Sequence, residues 1–190
     1  MKNLNLIKKN FNIPNVLTLF RIALVPVIMS MVLKKNYLSG FIVFLLVAIT
    51  DFLDGYFARK FNQITFLGAI LDPIADKLLI VGLYLAFYLS GPERLMPGWF
   101  LVLIIAKEIL LLLGAWVVCC LKKLTAVKPT LLAKVLMLVN SLFIAILFLH
   151  KITGLLNIEF IYNIYLCIAF LAILVSLQYF LIFIKVFKKL

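Results

Sequence analysis

Charged residues are scarce in this sequence, and acidic ones are the scarcest. Asp and Glu number 7 of 190 residues, and all charged residues together make up 14%. Hydrophobic residues make up 66% and the mean hydropathy is +1.23, whereas roughly half the residues of a soluble globular domain are apolar. The composition therefore excludes a soluble globular protein and predicts a chain embedded in a lipid bilayer.

Histidine and cysteine are also rare. The chain has one His, and its three Cys lie within apolar stretches without the paired spacing of metal ligands or of a disulfide framework: Cys119, Cys120 and Cys167. This pattern argues against disulfide-based stabilisation and against a zinc or redox centre.

Basic residues, in contrast, give a net charge of +12. A nucleic-acid-binding protein concentrates Lys and Arg on one solvated face. Here they lie at the ends of apolar runs, which is how the positive-inside rule appears in a sequence. We therefore predict no nucleic-acid partner, and we place both termini on the cytoplasmic side, where most of these residues collect.

The apolar runs predict an all-α integral membrane protein with six transmembrane helices in a single domain, 1–190. A crossing needs about 20 apolar residues, and an isolated run satisfies its backbone in hydrocarbon as a helix. The predicted spans are 14–33, 38–59, 66–90, 97–121, 131–150 and 157–184. Residues 1–12 alternate apolar and basic positions, which is typical of a juxtamembrane segment on an anionic surface.

Four of the seven acids fall inside the second and third spans: Asp51, Asp54, Asp72 and Asp76. Each costs at least about 2.5 kcal/mol at the centre of a membrane helix. Their spacings, three and four residues, place each pair on one helix face. If the two helices are antiparallel neighbours, the carboxylates converge and need a cation. Hard oxygen ligands suit Mg²⁺, Mn²⁺ or Ca²⁺.

Small residues and an arginine accompany these acids. Gly55 and Gly68 leave room for a ligand or another backbone. Arg59 follows Gly55 by about one turn and carries the planar fork that binds phosphate. Acids for metal, glycines for clearance and an arginine for phosphate together favour a diphosphate ligand bound through metal.

The run Asp51-Phe-Leu-Asp54-Gly55-Tyr-Phe-Ala58-Arg59, followed by Gly68, Asp72 and Asp76, resembles the signature of the CDP-alcohol phosphatidyltransferases. The resemblance implies a six-helix, usually homodimeric protein in a bacterial cell membrane, with two divalent cations, Mg²⁺ or Mn²⁺, beneath a CDP-lipid such as CDP-diacylglycerol. It implies that all four aspartates ligate metal and that Asp76 is also the catalytic base. The CDP pocket implied in this way consists of Asp54, Gly55, Ala58, Arg59, Gly68 and Asp72.

The acceptor alcohol is less strongly indicated. The segment from Asn12 to Arg21 is similar to bacterial phosphatidylglycerophosphate synthases and favours glycerol 3-phosphate. Its phosphate would need basic partners, for which the candidates are Arg21, Lys107, Lys128 and Lys134. The run Lys128-Pro-Thr, with Lys134, is instead similar to eukaryotic-type cardiolipin synthases, whose acceptor is phosphatidylglycerol. Both acceptors stay open, with glycerol 3-phosphate first.

Each basic candidate also has a structural interpretation. Arg21 and Lys134 can extend to the membrane surface from span ends, Lys128 can be a loop charge, and Lys107 can pair with Glu108 inside the bundle. A different functional class is a cation or proton transporter with buried acids in its pathway. That hypothesis accounts for the aspartates but not for Arg59 and the two glycines.

Overall fold

The computed structural model describes the backbone over 13–60, 66–91, 96–122 and 130–187, and side chains over 16–51, 71–91, 96–114 and 130–184. Within these ranges the chain forms six α-helices. They are α1 (Ile13–Leu33), α2 (Tyr37–Lys60), α3 (Phe66–Leu89), α4 (Gly98–Lys122), α5 (Leu131–Thr153) and α6 (Ile158–Phe187). Each begins and ends within three residues of a predicted span. The predicted juxtamembrane segment, 1–12, lies outside the described residues.

Among the described residues, three helices are long and apolar enough to cross a membrane: Val16–Leu33, Leu131–Thr153 and Ile158–Ile184. The stretch Tyr37–Asp51 of α2 is apolar but shorter. Large apolar side chains such as Leu110, Leu138 and Leu142 are more than half exposed, which suits a lipid-facing surface. Within the described residues the all-helical prediction is confirmed, and three of the helices have the length and apolar composition of membrane spans.

Helices α1–α3 belong to one compact unit, Met1–Ser90, and α4–α6 to a second, Gly91–Leu190. In the first unit, α1 packs extensively against both α2 and α3. Its buried face carries Val25, Ile28 and Val32, whose spacings of three and four residues define one side of a helix. Helix α1 is therefore the common packing partner of α2 and α3.

The contact between α1 and α3 is close at Gly82. A Cβ added there would lie 3.0 Å from the Met29 sulfur and 3.1 Å from a Val25 methyl group. Because small residues let membrane helices approach closely, Gly82 fixes the spacing of these two helices.

In the second unit, α6 packs against both α4 and α5. Its centre is an aromatic cluster in which the Tyr165 ring lies 4.7 Å from those of Phe100 and Phe143, edge to face. The ends of α5 are fixed by Thr130, whose side chain accepts a hydrogen bond from the Ala133 N–H, and by Gly154 in the left-handed conformation. These caps satisfy terminal backbone groups.

We expect Gly82→Leu to lower the free energy of unfolding by about 2 kcal/mol, because the larger side chain overpacks the contact of α3 with α1. Gly82→Ala should be nearly neutral, since the flexible Met29 side chain can shift and alanine favours the helix by up to about 1 kcal/mol. Thermal unfolding of the two variants in detergent measures the difference. Equal stability of both would show that the two helices are not in close contact here.

Candidate active site

Three of the four membrane aspartates have described side chains, and all lie in the first unit. Asp51 is in α2, and Asp72 and Asp76 follow one another by about one turn in α3. The Asp51 side chain is 52% exposed and that of Asp76 is 25% exposed. The site therefore lies at the edge of the unit, where a ligand has access to both carboxylates.

Arg21 of α1 connects the two acidic helices. Its Nη2 lies 2.5 Å from Asp51 Oδ1, and its Nη1 donates a hydrogen bond of 2.8 Å to Asp76 Oδ1. The Arg21 side chain is only 1% exposed. One buried guanidinium thus pairs with carboxylates from α2 and α3 and holds them side by side.

Thr18 provides a second connection from the same face of α1. Its hydroxyl donates a hydrogen bond of 2.6 Å to Asp72 Oδ1, and the residue is fully buried. Thr18 precedes Arg21 by three residues, so their side chains point in the same direction. Every described aspartate of the site therefore contacts α1.

The way in which the acids converge differs from the sequence-based expectation. We expected α2 and α3 to be direct neighbours, whereas among the described residues both helices pack extensively against α1. Thr18 was missed, because one hydroxyl in an apolar helix is a weak signal. The spacing of Thr18 and Arg21 was the signal that could have revealed it. Arg21, predicted as an acceptor-binding residue, lies among the aspartates.

The aspartates have the donor chemistry that a divalent cation requires. Carboxylate oxygens suit Mg²⁺ and Mn²⁺. The Arg21 guanidinium that bridges Asp51 and Asp76 shows that these carboxylates are arranged around a positive charge. Among the described side chains, no three His, Cys, Asp or Glu residues are gathered closely enough to hold an ion. Asp54, the fourth predicted ligand, has a side chain outside that set. The residues thus fit a metal by chemistry and charge.

Six predicted site residues lie outside the part of the chain whose side chains the structure describes. Asp54, Gly55, Ala58 and Arg59 belong to the backbone of α2, and Gly68 belongs to that of α3. Lys128 also lies outside the described residues. The roles predicted for these six residues remain predictions.

The other two basic candidates lie in the second unit. Lys107 in α4 is buried and its Nζ lies 2.5 Å from Glu108 Oε1, as expected for two charges inside a bundle. Lys107 and Ser176 also line an otherwise apolar cavity of about 340 Å³ between α4 and α6. Lys134, in the first turn of α5, is exposed.

Residues 11–184 match the family model described as CDP-alcohol phosphatidyltransferase. The chain belongs to this family. The match covers all six helices except the last residues of α6, so the aspartate signature occurs in the sequence context that the resemblance implied.

Three bacterial relatives that resemble the chain are each named CDP-diacylglycerol–glycerol-3-phosphate 3-phosphatidyltransferase. The Aquifex aeolicus protein is 46% identical over 54% of this chain and 57% of its own length. The Bacillus subtilis protein is 38% identical over 52% of this chain and 57% of its own length. The chain thus spans little more than half the length of these two relatives. The Rickettsia felis protein is 37% identical over 89% of this chain and 93% of its own length.

The ion pair in the second unit can be tested by stability. Lys107→Met should lower the free energy of unfolding by about 3 kcal/mol, because it removes the ammonium from a largely buried carboxylate. Adding Glu108→Leu should recover most of that loss, since two apolar side chains replace the pair. Thermal unfolding of the single and double variants in detergent measures both effects, and additive losses would contradict a coupled pair.

Proposed function

We propose that this protein transfers the phosphatidyl group of CDP-diacylglycerol to glycerol 3-phosphate, forming phosphatidylglycerophosphate and CMP. Membership of the family and the shared name of its relatives support this activity. The structural observation that carries the proposal is the bridge from Arg21 to Asp51 and Asp76, because it brings together acids from the two helices that carry the family signature.

The metal site of this proposal consists of Asp51, Asp54, Asp72 and Asp76, which would hold two Mg²⁺ or Mn²⁺ ions. When bound, such ions polarise a phosphoryl oxygen and stabilise the charge of the departing phosphate. Four carboxylates are sufficient to neutralise two divalent charges. The Arg21 guanidinium adds one positive charge beside them, which favours an anionic donor.

Asp76 is the proposed general base. The acceptor hydroxyl gives its proton to the Asp76 carboxylate while its oxygen forms a bond to the β-phosphorus of the donor. The bond from that phosphorus to the bridging oxygen breaks, and CMP leaves with the electron pair. Since Asp76 is one-quarter exposed, the proton can then pass to water.

The donor pocket is proposed from the family signature. Gly55, Ala58 and Gly68 would leave space for the CDP group, and Arg59 would bind a phosphate through its fork of donors. Asp54 and Asp72 complete the proposed set, and the donor is therefore proposed to bind at the cytoplasmic ends of α2 and α3.

Glycerol 3-phosphate adds a second phosphate that needs basic partners. Lys134 is exposed and Lys107 lines a cavity, so both can take part, together with Lys128. Arg21 is the weakest of the four candidates, because its guanidinium is already shared by two carboxylates.

We further propose six membrane crossings in a bacterial cell membrane, with both termini and the aspartate site facing the cytoplasm. The distribution of Lys and Arg supports this orientation. A homodimer is proposed from the family resemblance. Membership of a transferase family argues against the transporter hypothesis, which also leaves Arg59 and the two glycines unexplained.

The activity can be tested with purified protein, CDP-diacylglycerol and Mg²⁺ or Mn²⁺, to which glycerol 3-phosphate or phosphatidylglycerol is added in turn. We expect CMP release and a new phosphatidylglycerophosphate band with glycerol 3-phosphate, both abolished by EDTA. Cardiolipin formed with phosphatidylglycerol alone would overturn the proposed acceptor. Absence of CMP release with either alcohol would overturn the transferase.

Asp76→Asn should reduce kcat by at least about 100-fold, because it removes the proton acceptor as well as a ligand charge. Glu159→Gln is the matched control, since Glu159 is an exposed acid at the start of α6 and its loss should leave kcat unchanged. Near-normal CMP release by Asp76→Asn, measured at saturating donor, would exclude Asp76 as the base.

A further inference from the structure

Thr18 and Arg21 are polar residues on the buried face of an otherwise apolar helix. Thr18 is fully buried and Arg21 is 1% exposed. Burying a guanidinium is unfavourable unless its partners are well placed, and packing alone would be served by apolar side chains. The described contacts of both side chains lead to aspartates of the site.

These contacts use one oxygen of each carboxylate. Arg21 contacts Oδ1 of Asp51 and Oδ1 of Asp76. Oδ1 of Asp72 accepts a hydrogen bond from the Thr18 hydroxyl. The described hydrogen bonds and ion pairs of these aspartates all use Oδ1. Helix α1 thus anchors each carboxylate through one oxygen.

The difference in burial matches this division. Arg21 and Thr18 are buried, whereas the side chains of Asp51 and Asp76 are partly exposed. A cation that reaches the exposed carboxylates has oxygens other than those held by α1 to bind. Hydrogen bonds to ligating carboxylates orient them and tune the affinity for metal.

We propose that Thr18 and Arg21 are positioning residues for the metal site: from α1 they fix the rotamers of Asp72, Asp51 and Asp76 so that the other oxygens face the ions. The inference rests on the proposed function, since it takes the aspartates as metal ligands. In this proposal α1 contributes to metal binding although none of its atoms is a metal ligand.

If Arg21 replaced the metal instead of positioning its ligands, its removal would change the metal affinity in the opposite direction. If the guanidinium simply replaced the metal, it would compete for the same oxygens, and its removal would tighten metal binding. If it positions the carboxylates, its removal weakens binding. Metal affinity, measured without any substrate, therefore distinguishes the two roles.

The experiment measures the affinity of the full-length protein in detergent for Mn²⁺ alone, by titration calorimetry or by the EPR signal of free Mn²⁺. The decisive pair is Thr18→Val, which removes the hydroxyl at nearly constant volume, and Thr18→Ser, which retains it. We expect Thr18→Val to weaken Mn²⁺ binding by about 10- to 100-fold, the usual effect of losing a hydrogen-bond partner of a metal ligand. Thr18→Ser should bind Mn²⁺ with nearly wild-type affinity, because it retains the hydroxyl.

Arg21→Gln should weaken binding to a similar degree, and Arg21→Lys should recover part of the loss because one ammonium can neutralise one carboxylate at a time. Melting temperatures in EDTA identify a variant that is merely unfolded. If the Arg21 variants do not fold, the Thr18 pair still decides the matter.

Wild-type affinity in Thr18→Val, or tighter Mn²⁺ binding in a folded Arg21→Gln protein, would overturn the inference while leaving the aspartates as a metal site. Absence of Mn²⁺ binding by the wild-type protein would overturn the proposed metal site itself. The two failures are therefore distinguishable.

Discussion

The ion pairs of Arg21 with Asp51 and Asp76 are the interaction on which the first unit depends. Three helices meet at one guanidinium, and each contributes a charge that would be costly alone in hydrocarbon. Removing one partner of a buried charge pair typically costs about 3–5 kcal/mol, a large fraction of the stability of a small domain. The partial exposure of both carboxylates reduces that cost here.

Under the proposed function, this arrangement resolves a conflict between stability and activity. Acids proposed to hold metal must remain close together, yet like charges repel when the metal is absent. A buried cation from α1 relieves that repulsion, and Thr18 secures Asp72 without adding charge. Close packing at Gly82 holds α1 and α3 at a constant spacing. The site thus depends on the contact between α1 and α3 as much as on the acids themselves.

Much of the helical architecture could be predicted from the sequence, because hydrocarbon leaves a long apolar run few alternatives to a helix. The acids at positions 51, 72 and 76 were predicted to form a site from their occurrence in apolar spans and from their helical spacing, and the structure shows that all three contact α1. The central place of α1 was not predictable, since a hydrophobic pattern does not specify which helices are neighbours. For the same reason the contacts of Arg21 with carboxylates on two other helices were not predicted, and its predicted role in binding the acceptor phosphate stays a prediction. The acceptor lysines could not be assigned from the sequence, because a basic residue in an apolar helix has the same pattern whether it binds a phosphate, pairs with an acid as Lys107 does with Glu108, or extends to the membrane surface.

The two-metal site can be tested by counting the Mn²⁺ ions bound per chain and by looking for magnetic coupling between them by EPR. We expect two ions per wild-type chain with the broadened spectrum of a close pair, and loss of that coupling in Asp51→Asn. A wild-type protein that binds a single uncoupled ion, or none, would contradict the assignment of the aspartates as a two-metal site.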